Sequence, residues 1–287
     1  MTTTPNGRAV VVATGDEHCG HPFALCHPDP WSDANGQVHT PNGLQDTIWR
    51  HWEESWKRVG QMRRGARLII IRMGDSVEGV HHGTTQLDTA RRIEQENINL
   101  RCWRRALELC NFRVGRDHLL GVVGTMAHVG PAGESDERTM RALLHADYDD
   151  GRLTRERLRL TVNGTTIEAW HRGPGPGRRD WTRPNTLQAT LRSYMYRNLR
   201  RGTTPTRYYL WGHYHQWTAA ALQDDDGLVV SEGMICPAQK LKDEYVYTLD
   251  AEGLANVGLV AIDVLPSGAS HWEALRMAVE QDAGMVL

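Results

Sequence analysis

The run Arg207-Tyr-Tyr-Leu-Trp211 leads directly into Gly212-His213-Tyr214-His215. An apolar stretch of strand length ends on two histidines one residue apart. Side chains alternate along an extended backbone, so the two imidazoles are expected to share a face and reach one metal centre. The same construction recurs upstream. Ala9-Val-Val-Val-Ala13 runs into Gly15-Asp16-Glu17-His18, and Leu68-Ile-Ile-Ile71 runs into Gly74-Asp75. Each short, β-branched run reads as a buried strand that delivers Asp or His at its carboxyl end.

Outward from these three strands, strand-like and helical runs alternate, the signature of an α/β fold. Helices are expected over about 45–59, where Trp49, Trp52 and Trp56 recur at helical spacing as core, and over 88–112, 134–144 and 185–201. A further strand, His118–Val123, ends in Gly124-Thr125. Asn163-Gly164 between two β-rich arms predicts a hairpin whose second arm delivers His171, since both turn residues must take positive φ. Asp224-Asp-Asp-Gly227 marks another hairpin, and residues 259–264 and 271–277 read as a last pair of strands. Residues 19–43 read as a long loop. With no internal repeat and no low-complexity linker, residues 1–287 are expected to form one domain.

Composition narrows the function. The chain has 287 residues, 40% of them hydrophobic and 24% charged, which is ordinary for a soluble globular protein. No stretch approaches the roughly 20 apolar residues of a membrane span, and the first residues lack a secretory pattern, so a cytoplasmic location is expected. The net charge of -2 gives no overall drive toward polyanions. Every basic residue except Lys57, Lys240 and Lys242 is arginine, a bias that suits phosphate contacts but also follows from a GC-rich genome. Five scattered cysteines do not read as a disulfide framework. Cys19 and Cys26 lie among histidines, but their spacing matches no common zinc pattern.

Asp16, His18, Asp75, His128, His171, His213 and His215 all fall at strand ends. Mixed carboxylate and imidazole donors suit divalent manganese, iron, zinc or nickel. They are too many for one four-coordinate ion with an open position and fit a pair, the arrangement used for displacement at phosphorus. Sites in open α/β sheets form at the carboxyl ends of strands.

In order and spacing these blocks resemble the calcineurin-like metallophosphoesterases. Asp16-Glu17-His18 matches D-x-H, Gly74-Asp75-Ser76-Val77-Glu78 matches G-D-x-x-D/E, His171 is the lone His, and Gly212-His213-Tyr214-His215 matches G-H-x-H. The resemblance covers roughly residues 9 to 217, and the variants around Gly124 and His81-His82 look like those of phage-encoded members, whose site of action would be the host cytoplasm. It implies a mixed double β-sheet sandwich flanked by helices and a site for two divalent ions, manganese first. Asp16, His18 and His215 would hold one ion, His171 and His213 the other, with Asp75 bridging and a shared water or hydroxide attacking phosphorus. The third block departs from the pattern. Thr125 stands where the family has an Asn ligand, and His128 lies two residues beyond the family's His. His128 is then either the general acid for the leaving oxygen, the preferred role for an imidazole near neutrality, or the missing ligand.

Around this core, His82 (with His81) and the arginines of the Gly-rich segment 171–181, Arg172, Arg178 and Arg179, are candidates for binding phosphate. Glu78 reads as support for a ligand or as a solvated carboxylate. The arginines and tyrosines at 192–201 read first as a solvated helix face and second as a nucleic-acid patch. The expected activity is hydrolysis of phosphate mono- or diesters. A nuclease acting on DNA and a non-catalytic metal-binding scaffold are the alternatives. A metallo-β-lactamase-type hydrolase is excluded for want of an H-x-H-x-D-H run.

Overall fold

The computed structural model describes residues 7–81, 87–144, 151–241 and 256–277. Two mixed sheets lie face to face. The first has six strands in the order β13-β12-β1-β4-β5-β6: β1 (Ala9–Thr14), β4 (Arg67–Arg72), β5 (His118–Val122), β6 (Thr154–Arg155), β12 (Gly258–Val264) and β13 (Ser270–Arg276). Within it β1, β4, β5 and β6 run parallel, and β12 pairs antiparallel with β1. The second sheet, ordered β10-β11-β9-β8-β7, contains β7 (Leu158–Val162), β8 (Thr165–Arg172), β9 (Tyr208–Gly212), β10 (Thr218–Gln223) and β11 (Val229–Ile235). Its inner strands β8, β9 and β11 are parallel.

Alternation along each strand builds the layers. In β1, Ala9, Val11 and Ala13 face the second sheet, as do Ile69 and Ile71 of β4, and meet Ile167, Ala169, Tyr208 and Leu210. The intervening Val10, Val12, Leu68 and Ile70 face helices α1 (Gly43–Arg63) and α2 (Arg92–Leu109), whose Trp52, Trp56 and Trp103 pack edge to face at centroid distances of 5.4–5.5 Å. On the far side, Tyr209 and Trp211 meet Leu187 and Leu191 of α5 (Arg183–Arg200). The molecule is therefore a four-layer helix–sheet–sheet–helix sandwich, and strands hydrophobic on both faces follow from it.

Some boundaries move. Helix α1 begins two residues before the expected start because Asn42 and Gln45 form a reciprocal capping box. Helix α2 starts at Arg92 rather than near 88, with Arg91 still extended. The expected loop 19–43 contains a two-stranded ribbon, β2 (Trp31–Ser32) with β3 (Val38–His39), and much of it is buried. Two short helices, α3 (Met126–Val129) and α4 (Glu134–Leu144), follow β5. Among the described residues no helix is long and apolar enough to cross a membrane.

Candidate metal centre

Five parallel strands, β1, β4 and β5 of one sheet and β8 and β9 of the other, end at the same edge of the sandwich, and each supplies polar side chains there. The loops after β1 and β4 are joined by backbone bonds from Asp16 N to Gly74 O (2.9 Å), His18 N to Asp75 O (3.0 Å) and Cys19 N to Ser76 O (3.2 Å). From β9, His213 N donates to both Asp16 carboxylate oxygens at 3.1 and 3.0 Å. A Cβ on Gly212 would stand 2.7 Å from Asp16 Oδ2, so only glycine lets the second sheet approach this closely.

The backbone is strained where the donors sit. Asp16, His18, Asp75, His213 and His215 all have positive φ, between 44° and 76°. Left-handed non-glycine residues cost of order 1–3 kcal/mol each and gather at functional sites. This corrects the route by which His213 and His215 were expected to converge. They lie beyond the extended part of β9, and the left-handed turn sends them to different partners. His215 groups with Asp16 and His18, whereas His213 groups with Asp75 and His171. Of these donors only His171 is presented from within a strand, β8, where its register with β9 shifts between Trp170 and Arg172.

The resulting cluster is crowded with acceptors. His18 Nε2 lies 3.0 Å from His215 Nε2, 3.8 Å from Asp16 Oδ1 and 3.9 Å from Asp75 Oδ2. His171 Nδ1 meets the Met73 carbonyl at 2.6 Å. That bond places a proton on Nδ1 and turns Nε2 toward Asp75 Oδ2, an ion pair at 2.9 Å. Asp16, His18, Asp75 and His171 are buried, while His213, His215 and His128 are partly exposed and mark the open side. Burial works against every charge here, yet at the four buried donors opposite charges win. His18 is raised to about 9 by Asp16 and Glu78, and His171 to about 10 by Asp75 and Asp16. The imidazoles in turn hold Asp16 well below the usual carboxylate range and Asp75 at about 2. A buried carboxylate pair that raises its imidazoles this far is a field that a cation satisfies, and the mixed N/O donor set fits divalent first-row metals.

Thr125 and His128 take distinct places. Thr125 holds Asp75, its N donating to Oδ1 at 2.6 Å and its hydroxyl 3.0–3.1 Å from both carboxylate oxygens. His128 Nδ1 lies 2.7 Å from Glu78 O, which leaves Nε2 free. His128 groups with His18 and Asp75, not with His171 and His213. Burial and the nearby His18 lower it to about 4.

Two further carboxylates support the donors, Glu78, whose motif position the sequence showed, and Asp136, which it did not. Glu78, readable as the end of the second block, is buried, with Oε2 2.8 Å from His18 Nδ1 and 3.3 Å from Lys240 Nζ. Asp136 accepts from Ser76 N at 3.1 Å and Gly124 N at 2.8 Å, tying together the loops that carry Asp75 and Thr125. Of the candidate phosphate binders, Arg172 is exposed and lines a cleft of about 260 Å³ with Thr125, Glu156, Trp170 and His171. Arg178 and Arg179 are exposed farther along the loop, Arg179 5.5 Å over the Trp181 ring. His82 lies outside the described residues. All five cysteines are buried and free, and among the described residues none joins a metal-donor group.

No protein-family model matches the chain, and no curated protein matches it in sequence. Several solved structures resemble it in the course of the backbone. A predicted phosphoesterase from Streptococcus pneumoniae is 9% identical, with 93% of this chain and 98% of that one covered at a TM-score of 0.34. A dimetal phosphatase from Danio rerio is 10% identical, with 94% and 96% covered at 0.44. Zinc-complexed Vps29 from Entamoeba histolytica is 10% identical, with 92% and 97% covered at 0.30. Backbone likeness at these scores carries no chemistry.

Proposed function

We propose that this chain is a calcineurin-like metallophosphoesterase, a hydrolase of phosphate mono- or diesters that works with two divalent ions, manganese first, then iron, zinc or nickel. The observation that carries the reading is His171. It is buried, its Nδ1 is committed to a carbonyl, and its Nε2 stands 2.9 Å from a carboxylate oxygen, where a cation would take the place of the proton. Asp16, His18 and His215 would hold one ion; His171 and His213 would hold the other, with Asp75 between the two sets. Bound ions supply Lewis acidity, which acidifies water and offsets charge on a phosphoryl group.

The chain's own groups set the rest. Met73 O and Glu78 fix the rings of His171 and His18, and Thr125 fixes the Asp75 carboxylate. His128 is neutral at pH 7, so its free Nε2 accepts a proton before it can give one. It therefore fits a relay, taking a proton from water and returning it to the leaving oxygen. Arg172, at the mouth of the cleft, offers a guanidinium fork to a phosphate. Both sheets contribute, so we take the chain as one domain, and its free cysteines fit the reducing cytoplasm.

The test is turnover of nitrophenyl phosphate mono- and diesters by protein stripped with chelator and reloaded with manganese, nickel or zinc. Asp75→Asn and His213→Ala should each lose more than about 100-fold, the ceiling for residues that only orient a ligand. Full activity in either variant refutes the assignment. Bound metal without turnover of any ester would instead support a scaffold.

A further inference from the structure

We infer that the substrate is a single-stranded nucleic acid lying along the basic, aromatic surface that runs from the loop after His171 over the outer face of α5. This inference rests on the phosphoesterase reading. Residues 172–203 carry eight arginines and one acidic residue, Asp180, in a chain whose net charge is -2; no acidic residue occurs between Trp181 and Gln223. Arg172, Arg178, Arg179, Arg192, Arg197, Arg200 and Arg201 are all exposed. Among the described residues none of these seven has a carboxylate within ion-pair distance.

Several arginines elsewhere are held by carboxylates. Arg63 pairs with Asp117 at 2.8 Å, Arg138 with Glu96 at 2.6 Å, Arg207 with Glu232 at 3.0 Å and Arg8 with Asp263 at 2.6 Å. A solvated basic helix normally interleaves both signs; this one has no acidic residue at all. Aromatic rings stand among the guanidinium groups. Trp181 is 74% exposed and Tyr196 64% exposed, in a molecule that buries Trp52, Trp56, Trp103 and Trp211 completely. Tyr196 shares a groove of about 570 Å³ with Ser193, Arg197, Arg200 and Arg201.

The surface is continuous with the metal centre. It begins at Arg172, next to His171, and Tyr214 Oη donates to Gly173 O at 3.1 Å, fastening the loop beside His213. At the start of α5, Arg183 donates twice, at 2.9 Å, to the side-chain oxygen of Gln216, one residue past His215. The eighteen residues of α5 then extend this surface along a helix about 27 Å long. Positive charge that tracks a phosphate backbone, with rings on which unpaired bases stack, suits a single strand. A duplex hides those base faces.

Fluorescence anisotropy with a labelled 20-mer, single-stranded or duplex, in chelator tests binding apart from cleavage. The wild type should prefer the single strand at least tenfold. Three arginines fewer should flatten the salt dependence of log K by about 2, from a slope of about -0.7 per phosphate contact. That is the result expected of the triple variant Arg197→Ala, Arg200→Ala and Arg201→Ala. Trp181→Ala should weaken binding about tenfold at an unchanged slope, and Arg104→Ala, on the opposite helix layer, should change neither. Absent binding, equal affinity for duplex, or an equal effect of Arg104→Ala overturns the inference. Turnover of bis(4-nitrophenyl) phosphate by the reloaded wild type separates the two readings. Cleavage of that diester without strand binding removes the nucleic acid and leaves the phosphoesterase. Strand binding without any cleavage of diester or strand removes the strand as substrate.

Discussion

Glu78 Oε2 stands 2.8 Å from His18 Nδ1, and this contact decides which nitrogen His18 turns to the donor cluster. Burial opposes a charge on Glu78, but His18 and Lys240 hold its carboxyl well below the usual range. The anion therefore persists and keeps the His18 proton on Nδ1. Glu78→Gln should lower metal affinity about 10- to 100-fold, the usual effect of losing a carboxylate behind a ligating histidine. Competition with a chromogenic chelator measures it, and unchanged affinity would remove Glu78 from this role.

Protons occupy the centre until a cation does. His18 at about 9 and His171 at about 10 are both protonated at pH 7.5. A metal ligand must give up that proton, so loading should release about two protons per molecule. Affinity should then rise with pH toward the alkaline values of these two histidines. Calorimetry in buffers of different ionisation enthalpy counts the protons; none released would contradict the ligand assignment of both residues.

What the sequence disclosed follows from how local each signal is. Strands β1, β4 and β9 were legible because apolar runs end in Gly-Asp or Gly-His, and Asn163-Gly164 named its own hairpin. The route of His213 and His215 was misread because the period-two rule holds only while the backbone stays extended, and both residues have positive φ. Lys240 reaches Glu78 across 162 positions and Asp136 reaches Ser76 across 60. A single sequence carries no mark of such pairings. The ribbon of β2 and β3 was hidden for another reason, since two residues are too few to show alternation.

Gly124 offers a steric test of the centre. Its backbone is in an ordinary region, but a Cβ there would collide with Asp75 Oδ1 and with the Asp75 backbone. Backbone cannot swing aside as the end of a long side chain can. Gly124→Ala should therefore displace Asp75, weaken metal binding and reduce turnover by at least about tenfold. Gly43→Ala, where a Cβ meets nothing within 4 Å, is the matched control and should leave both unchanged. Equal effects of the two substitutions would show that Gly124 does not act through Asp75.

His27 supplies a pH dependence outside the metal centre. The ring is buried, and its Nε2 lies 3.1 Å from Arg101 Nη1, a contact that requires the neutral imidazole as acceptor. Burial, and then the Arg101 charge, lower it to about 4, against about 6.5 in the unfolded chain. Between those values the unfolded chain binds more protons than the folded one, so stability falls as pH drops from about 6.5 to about 4. Above about 6.5 this contribution is complete and flat. Urea denaturation at pH 7, 5.5 and 4.5 should show a steeper acid loss in the wild type than in His27→Asn, whatever the offset between them at pH 7. Parallel curves would mean that His27 titrates alike in both states.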